Sequence, residues 1–314
     1  MVEWFHVNGT YKQKRIDRRG ATGDGCAFIL RKEKEMRAEK VQNEYVLSQD
    51  EAKELIKKIR DIYPTLVKAF SLEEMEWCCN ATESELTKGY KKMTNETGSC
   101  WFKNNGSQIL SVAHMDSVCE PTHFTTAQLK AETLVFSPVL DDRAGVYIIT
   151  RLLPKVGINL DILLTTDEEI CKTTADAFKP KKQYNWGVEF DRKGSGVVLY
   201  QYDDNESWKR EIRKAGFLTE LGSYSDISAL GHLGCSFMNI GTGIENGHST
   251  RAFISLETML RNVAKFIIFY RTNAKKKFKH VGLLERMRVM SMIDSYLEQL
   301  DEGYDYDYGW MDGK

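Results

Sequence analysis

The stretch "SVAHMDSV", residues 111–118, decides how this chain is read. With Ile109 and Leu110 before it, the run to Ala113 is short and apolar, the pattern of a buried strand. His114 and Asp116 stand at its end, two positions apart. An extended chain sends residues i and i+2 to the same face. A buried strand that finishes in an imidazole and a carboxylate on one face needs a reason.

Working outward, the middle of the chain repeats the theme. "SCWFKNNGSQILSVAHMD" (99–116) reads as two strands joined by an Asn-Asn-Gly turn. "DDRAGVYIITRLL" is a helix entered through acids, and "INLDILLTTDEE" a strand that ends in them. "YNWGVEFDRKGSGVVLYQY" gives a strand, a turn and another strand. "CSFMNIGTG" is a strand running into glycines. "SLETMLRNVAKFIIFYR" is a helix with Leu256, Met259, Leu260, Val263 and Ile267 on one face. Strands alternating with helices imply an α/β fold: a mixed, mostly parallel central sheet flanked by helices.

The flanks differ. Residues 1–47 are polar, with basic clusters, and read as an N-terminal arm or a small added β-element and helix. From Ser48 a helix is expected, capped by that serine, with Leu55, Ile59 and Ile62 on one face. A second helical stretch is expected through "ATESELTKGYKKM" (81–93). Residues 48–272 are then expected to form the main domain. Residues 273–314 read as an appendage: a basic segment, a Met-rich helix and an acidic Tyr/Asp tail.

Composition narrows the class. The chain has 314 residues, a net charge of −1 and no long apolar run of the kind that spans a bilayer. No global field favours nucleic acid or a membrane surface. Seven cysteines without a C-x-x-C argue for a reducing compartment rather than a disulfide framework. The N-terminus lacks a signal-peptide pattern, so a cytoplasmic, soluble protein is expected.

Ionisable residues end one apolar segment after another: His114 and Asp116, Asp141 and Asp142, Asp167 to Glu169, Asp191, and His248 beyond "GTGIENG". In open α/β sheets, ligands bind outside the carboxyl ends of the strands. Alone, each group has a plain structural reading: a satisfied histidine, a helix cap, a solvated loop, a turn aspartate. Together they put four or five carboxylates in one crevice, which mutual repulsion disfavours unless cations neutralise them. Nitrogen and oxygen donors without cysteine suit zinc, with cobalt or manganese as alternatives.

In this order the motifs "AHMDSV", "LDDRAGV", "TTDEEI", "EFDRKG" and "NIGTGIENGHS" resemble the co-catalytic zinc exopeptidases of clan MH, the leucyl aminopeptidases and peptidase T-like enzymes. The resemblance covers roughly residues 105–272. It implies two divalent metal ions, one held by His114 and Asp191, the other by Glu169 and His248, with Asp141 bridging. It implies that Asp116 orients the His114 ring and that Glu168 is the general base. Asp226, in "GSYSDISALGHLG", could instead supply the ligand given to Asp191; Asp191 is preferred because it ends a strand soon after the glutamate pair. Only residues 117–140 separate Asp116 from Asp141, so no lid domain is inserted there. Ala252 stands where relatives often have a glutamate, which loosens the link to the peptidase T branch.

The expected activity is metal-dependent amide hydrolysis, an aminopeptidase acting on a peptide or small amide. Alternatives are an amidohydrolase for N-acyl amino acids or other small amides, and a non-catalytic binding protein of this fold. Arg143 and Arg192 could hold a substrate carboxylate, though pairing with a local acid such as Asp142 is the simpler role. His6, His123, His232 and His280 fall outside the pattern. The sequence does not specify the oligomeric state.

Overall fold

The computed structural model describes residues 2–7, 10–15, 45–130 and 132–282. They fall into two units divided after Val46. The first contains an antiparallel pair, β1 (Val2–Val7) and β2 (Thr10–Arg15), with Val2 opposite Arg15 and Val7 opposite Thr10. The helix expected later in the arm, and the Met-rich helix and acidic tail, lie outside the described residues.

The second unit is built on an 11-stranded mixed sheet. Its strands are β3 (Lys91–Thr94), β4 (Ser99–Lys103), β5 (Ile109–His114), β6 (Thr125–Leu129), β7 (Glu132–Phe136), β8 (Asp161–Thr165), β9 (Trp186–Lys193), β10 (Val197–Val198), β11 (Thr219–Glu220), β12 (Phe237–Glu245) and β13 (Phe253–Ser255). They run in the order β3-β4-β8-β5-β9-β12-β13-β7-β6, with β10 paired to β12 and to β11. The centre, β8-β5-β9-β12, is parallel. The wings are antiparallel. β5 and β8 are buried at every position, as strands covered on both faces must be.

Helices α1 (Gln49–Ala69), α2 (Leu72–Asn80), α3 (Glu83–Leu86), α4 (Leu140–Tyr147), α5 (Glu206–Lys214) and α6 (Leu256–Asn273) surround the sheet, α4 running on through Ile148–Leu152 to Lys155. Ser48 and Glu51 close α1 with a reciprocal capping box. Alternation along the strands divides the core. Ala113, Leu164, Val188 and Phe190 belong to the larger cluster, which includes Phe266 of α6. Leu110, Val112, Leu163 and Phe237 belong to the second cluster, with Phe178 and Ile227. His114 follows Leu110 and Val112 at even spacing, so its ring projects on the second face.

Three expectations are corrected. β4 and β5 do not form a hairpin: β8 lies between them, antiparallel to β4 and parallel to β5. The buried Asp161 at the start of β8 accepts the backbone N–H groups of Asn105 and Ser107, each at 2.9 Å, and so holds the connecting loop around the inserted strand. Residues 81–93 are not one helix. α3 is four residues long, Gly89 adopts a left-handed φ of 83°, and β3 follows. The segment after 272, expected to begin an appendage, packs against this unit as far as it is described. Phe278 is buried against Trp208, and His280 against Tyr202. α2 goes unpredicted because its buried face, Met75, Cys78 and Cys79, spans little more than one turn. No helix among the described residues is long and apolar enough to cross a membrane.

Candidate metal centre

β5 and β8 end level with each other, His114 opposite Thr165, so the loops that follow them leave from the same edge. The four parallel strands therefore deliver their ionisable residues to one place. His114 closes β5 and is fully buried. Glu168 and Glu169 lie in the short 3-10 turn after β8, entered through Asp167 in a left-handed conformation. Asp191 belongs to β9. His248 follows β12, also left-handed at φ 58°. Asp141 and Asp142 open α4 with non-helical dihedral angles, joined by a cis peptide bond.

The predicted residues come together. His114 Nε2 lies 3.5 Å from Asp141 Oδ1, 3.6 Å from Asp191 Oδ1 and 3.9 Å from Glu168 Oε2. His248 Nε2 lies 3.2 Å from Asp141 Oδ2 and 3.0 Å from Glu169 Oε2. Two triads result, His114–Asp141–Asp191 and Asp141–Glu169–His248, each with its ligand atoms within 4.8 Å of one another. Asp141 is common to both and turns a different oxygen to each histidine. The first triad is enclosed; His248 lies at the rim, its side chain 59% exposed.

These donors fit divalent cations. His114 Nε2 and Glu169 Oε1 are buried atoms without a hydrogen-bond partner. Such atoms are costly unless something unseen pairs with them. His114 Nδ1 is 3.0 Å from the Asp116 carbonyl oxygen, which favours a proton there and leaves the Nε2 lone pair facing the carboxylates. This corrects one detail. The Asp116 carboxylate was the expected partner, but its Oδ1 is at 3.4 Å, and its Oδ2 accepts the Glu169 N–H at 3.2 Å. Asp116 therefore ties the β5 loop to the glutamate turn.

The protonation pattern follows from burial and charge. Burial pushes the Glu168 carboxyl up to about 7. Burial, then the charge of Asp141, pushes Asp191 well above the usual range. Burial also acts upward on Asp141, but the close imidazoles of His114 and His248 outweigh it and hold that group well below normal. Burial opposes charge on His114, yet the nearby carboxylates of Asp116, Asp141 and Asp191 carry it well above its ordinary value. The Asp141 contact raises His248 to about 9.

The remaining candidates are accounted for. Asp226 is fully buried and accepts hydrogen bonds from Thr165 Oγ1, at 2.5 Å, and from Thr173 Oγ1. It anchors the two ends of the glutamate loop and belongs to neither triad. Asp142 accepts the Gly145 N–H at 3.0 Å and caps α4. Arg143 donates to the Cys78 and Ala81 carbonyls, and Arg192 to that of Leu221, so the expected pairing of Arg143 with Asp142 is not made. His232 Nε2 lies 2.8 Å from the Phe178 carbonyl. Supporting residues absent from the sequence reading are Thr165, Thr173, Glu189 and Ser225. Glu189 is buried two residues before Asp191 and accepts from Ser225 Oγ. A lone acid inside an otherwise apolar strand was the available signal for it.

No protein-family model matches the chain, and no curated protein matches it. Among solved structures the chain is similar to the aminopeptidase PepT of Bacillus cereus, with 13% identity over 68% of this chain and 99% of that one, at a TM-score of 0.48. It is similar to an aminopeptidase of the archaeon Desulfurococcus kamchatkensis, with 13% identity over 63% and 93% of the two chains and a TM-score of 0.46. It is also similar to a TET aminopeptidase of a Thaumarchaeota archaeon from marine sediment, with 12% identity over 68% and 98% and a TM-score of 0.46. The functional reading rests on the site's own geometry.

Proposed function

We propose that this protein is a two-metal hydrolase that cleaves amide bonds, acting as an aminopeptidase. One observation supports the reading above the others: Asp141 turns one carboxylate oxygen toward His114 and the other toward His248, as a residue shared between two cations would. His114, Asp141 and Asp191 would hold one ion, and Asp141, Glu169 and His248 the other. The donor set suits zinc, with cobalt or manganese as alternatives. Bound there, the ions supply Lewis-acid polarisation of the scissile carbonyl and ease ionisation of the attacking water.

The chain's own groups do the rest. Glu168 faces the centre from the side of the first triad and is in neither. Burial raises its carboxyl to about 7 in the cation-free chain, and bound cations would draw it back toward the ionised form that a base needs. It takes a proton from the attacking water and returns it to the leaving amine. Asp116 holds the glutamate turn against the β5 loop, and its carbonyl orients His114.

The choice of an amine-ended substrate has separate support. Arg143 and Arg192, the cations beside proposed ligands in sequence, are engaged with backbone carbonyls. Neither is arranged to hold the free carboxylate that an N-acyl amino acid would bring. The test is to measure bound metal in the purified protein, then to assay aminoacyl and N-acyl chromogenic amides with added zinc, cobalt or manganese. Two ions per chain with hydrolysis of the aminoacyl amides is expected. Fewer than one ion after reconstitution overturns the metal reading. Hydrolysis of the N-acyl amides alone overturns the aminopeptidase reading. Two ions without hydrolysis of either leaves a binding protein.

A further inference from the structure

Asp191 sits where the sheet loses its register. β9 and β12 pair with Asn239 opposite Glu189, but the next matched pair is Gly241 and Arg192. β9 therefore carries one residue more than its partner at Phe190–Asp191, a β-bulge. On its other side β9 pairs with β5 only as far as Glu189, opposite Val112. The strand neighbours thus leave the Asp191 backbone N–H without a ladder partner. An unpaired backbone donor beside a buried carboxylate would be costly.

A side chain fills the gap. Asn239 Oδ1 accepts the Asp191 N–H at 2.9 Å. The carboxamide cannot turn freely, because its nitrogen donates to Ser225 Oγ at 3.2 Å and to the Tyr200 hydroxyl at 3.5 Å. Both acceptors are themselves directed: Ser225 donates to Glu189, and Tyr200 donates to the Tyr224 carbonyl. Asn239 is fully buried. Its orientation is set from three sides, with the oxygen facing the one donor and the nitrogen the two acceptors.

We propose that Asn239 is the positioning residue for Asp191: its carboxamide substitutes for the missing strand partner at the bulge and fixes the carboxylate against His114 Nε2. Bulges often re-aim a side chain next to a functional site, and here the re-aimed backbone is held by one amide. The consequence is specific to one cation position. The triad of Glu169 and His248 makes no use of β9, so loosening Asp191 weakens the His114 position and spares the other. This inference rests on the two-cation reading of the site.

Titration of the full-length, cation-free protein with cobalt(II) tests it, followed by calorimetry and by cobalt's visible absorption, neither of which needs activity. The native chain is expected to take up two equivalents. Asn239→Ala should weaken one step about 10- to 100-fold, the usual effect of losing a residue behind a ligand. The other step should stay within about twofold, and the absorption of the weakened site should change. Asn239→Asp, with its second oxygen protonated toward Ser225 and Tyr200 as burial beside Glu189 and Asp191 favours, keeps an acceptor at the same place and should restore that step to within a few-fold of native. If Asn239→Ala does not fold, Asn239→Ser serves, since its hydroxyl falls short of the Asp191 N–H. Two native-like steps in the alanine or serine variant overturn the inference while the two-cation reading stands. So does equal weakening of both steps that Asn239→Asp fails to rescue. A native chain that binds fewer than two ions removes both.

Discussion

At the scale of single residues, the site was legible because its groups break a local rule. Imidazole and carboxylate groups at the ends of apolar segments marked nine candidates, the resemblance of their motifs narrowed them to His114, Asp141, Glu169, Asp191 and His248, and the fold gathers these five into two triads that share Asp141. Their supporters were not legible: Asn239, Ser225 and Thr173 are ordinary polar residues whose partners lie far away in sequence. Two predictions belong here. Glu168→Gln removes the free carboxylate beside the first triad and should lower kcat about 10²- to 10⁴-fold while both metals stay bound. Unchanged kcat would remove Glu168 as the base. Asp191→Ala and Asp226→Ala should separate cleanly. Asp191→Ala should lose one ion. Asp226→Ala should keep two ions and lose stability, about 1–3 kcal/mol, because the buried Thr173 hydroxyl loses its acceptor while Thr165 keeps the Ala113 carbonyl. Metal content and denaturant unfolding distinguish the two, and the reverse pattern would exchange their roles.

At the scale of elements, local pattern sufficed where an element is long or strongly marked. Ser48 and the spacing of Leu55 and Ile62 gave α1, and the apolar runs gave β5 and β8. It failed where pairing is non-local. Nothing in "KNNGSQ" reveals that β8, more than fifty residues on, will slot between β4 and β5, because the decisive contact is Asp161 with the loop backbone. The same limit hid the bulge in β9, which is a property of two strands and not of one. The entry to α4 shows an element serving the site. A Cβ on Gly145 would collide with the carboxylate of Asp142, which caps the helix beside Asp141. Gly145→Ala should therefore displace Asp142 and with it Asp141. A stability loss of about 1–3 kcal/mol is expected, typical of overpacking, together with weaker binding of both ions. Ser48→Ala is the control. It removes the cap of α1 and should cost about 1 kcal/mol, with metal binding intact. Native metal affinity in Gly145→Ala would show that the helix entry does not govern Asp141.

At the scale of the whole molecule, the site is a concentration of charge inside a chain whose net charge is only −1. Without cations the folded chain must hold protons there. Burial pushes Asp142, Glu189 and Asp191 well above the carboxylate range and Glu168 to about 7, and contact with Asp141 raises His248 to about 9. Each of these groups has a folded pKa above its unfolded one, so the folded chain binds more protons between the two values and stability falls as pH rises. For Glu168 the contribution is complete below about 4.5 and gone above about 7; for His248 it is complete below about 6.5 and gone above about 9. Asp116 and Asp141 are shifted downward, and their contribution is complete above about 4, so it does not vary over this window. The chelated protein should thus melt at progressively lower temperature from pH 5 to pH 9. Cations act oppositely, because they compete with the same protons and bind better as pH rises. An ion at a hundredfold excess over its Kd adds about 2.7 kcal/mol, and a domain of this size gains about 2–4 °C per kcal/mol. The difference in Tm between zinc-loaded and chelated protein should therefore be small at pH 5 and widen to several degrees by pH 9. A chelated Tm that rises across this range, or a gap that stays constant, would mean that the cluster is neutralised by something other than protons and metal ions.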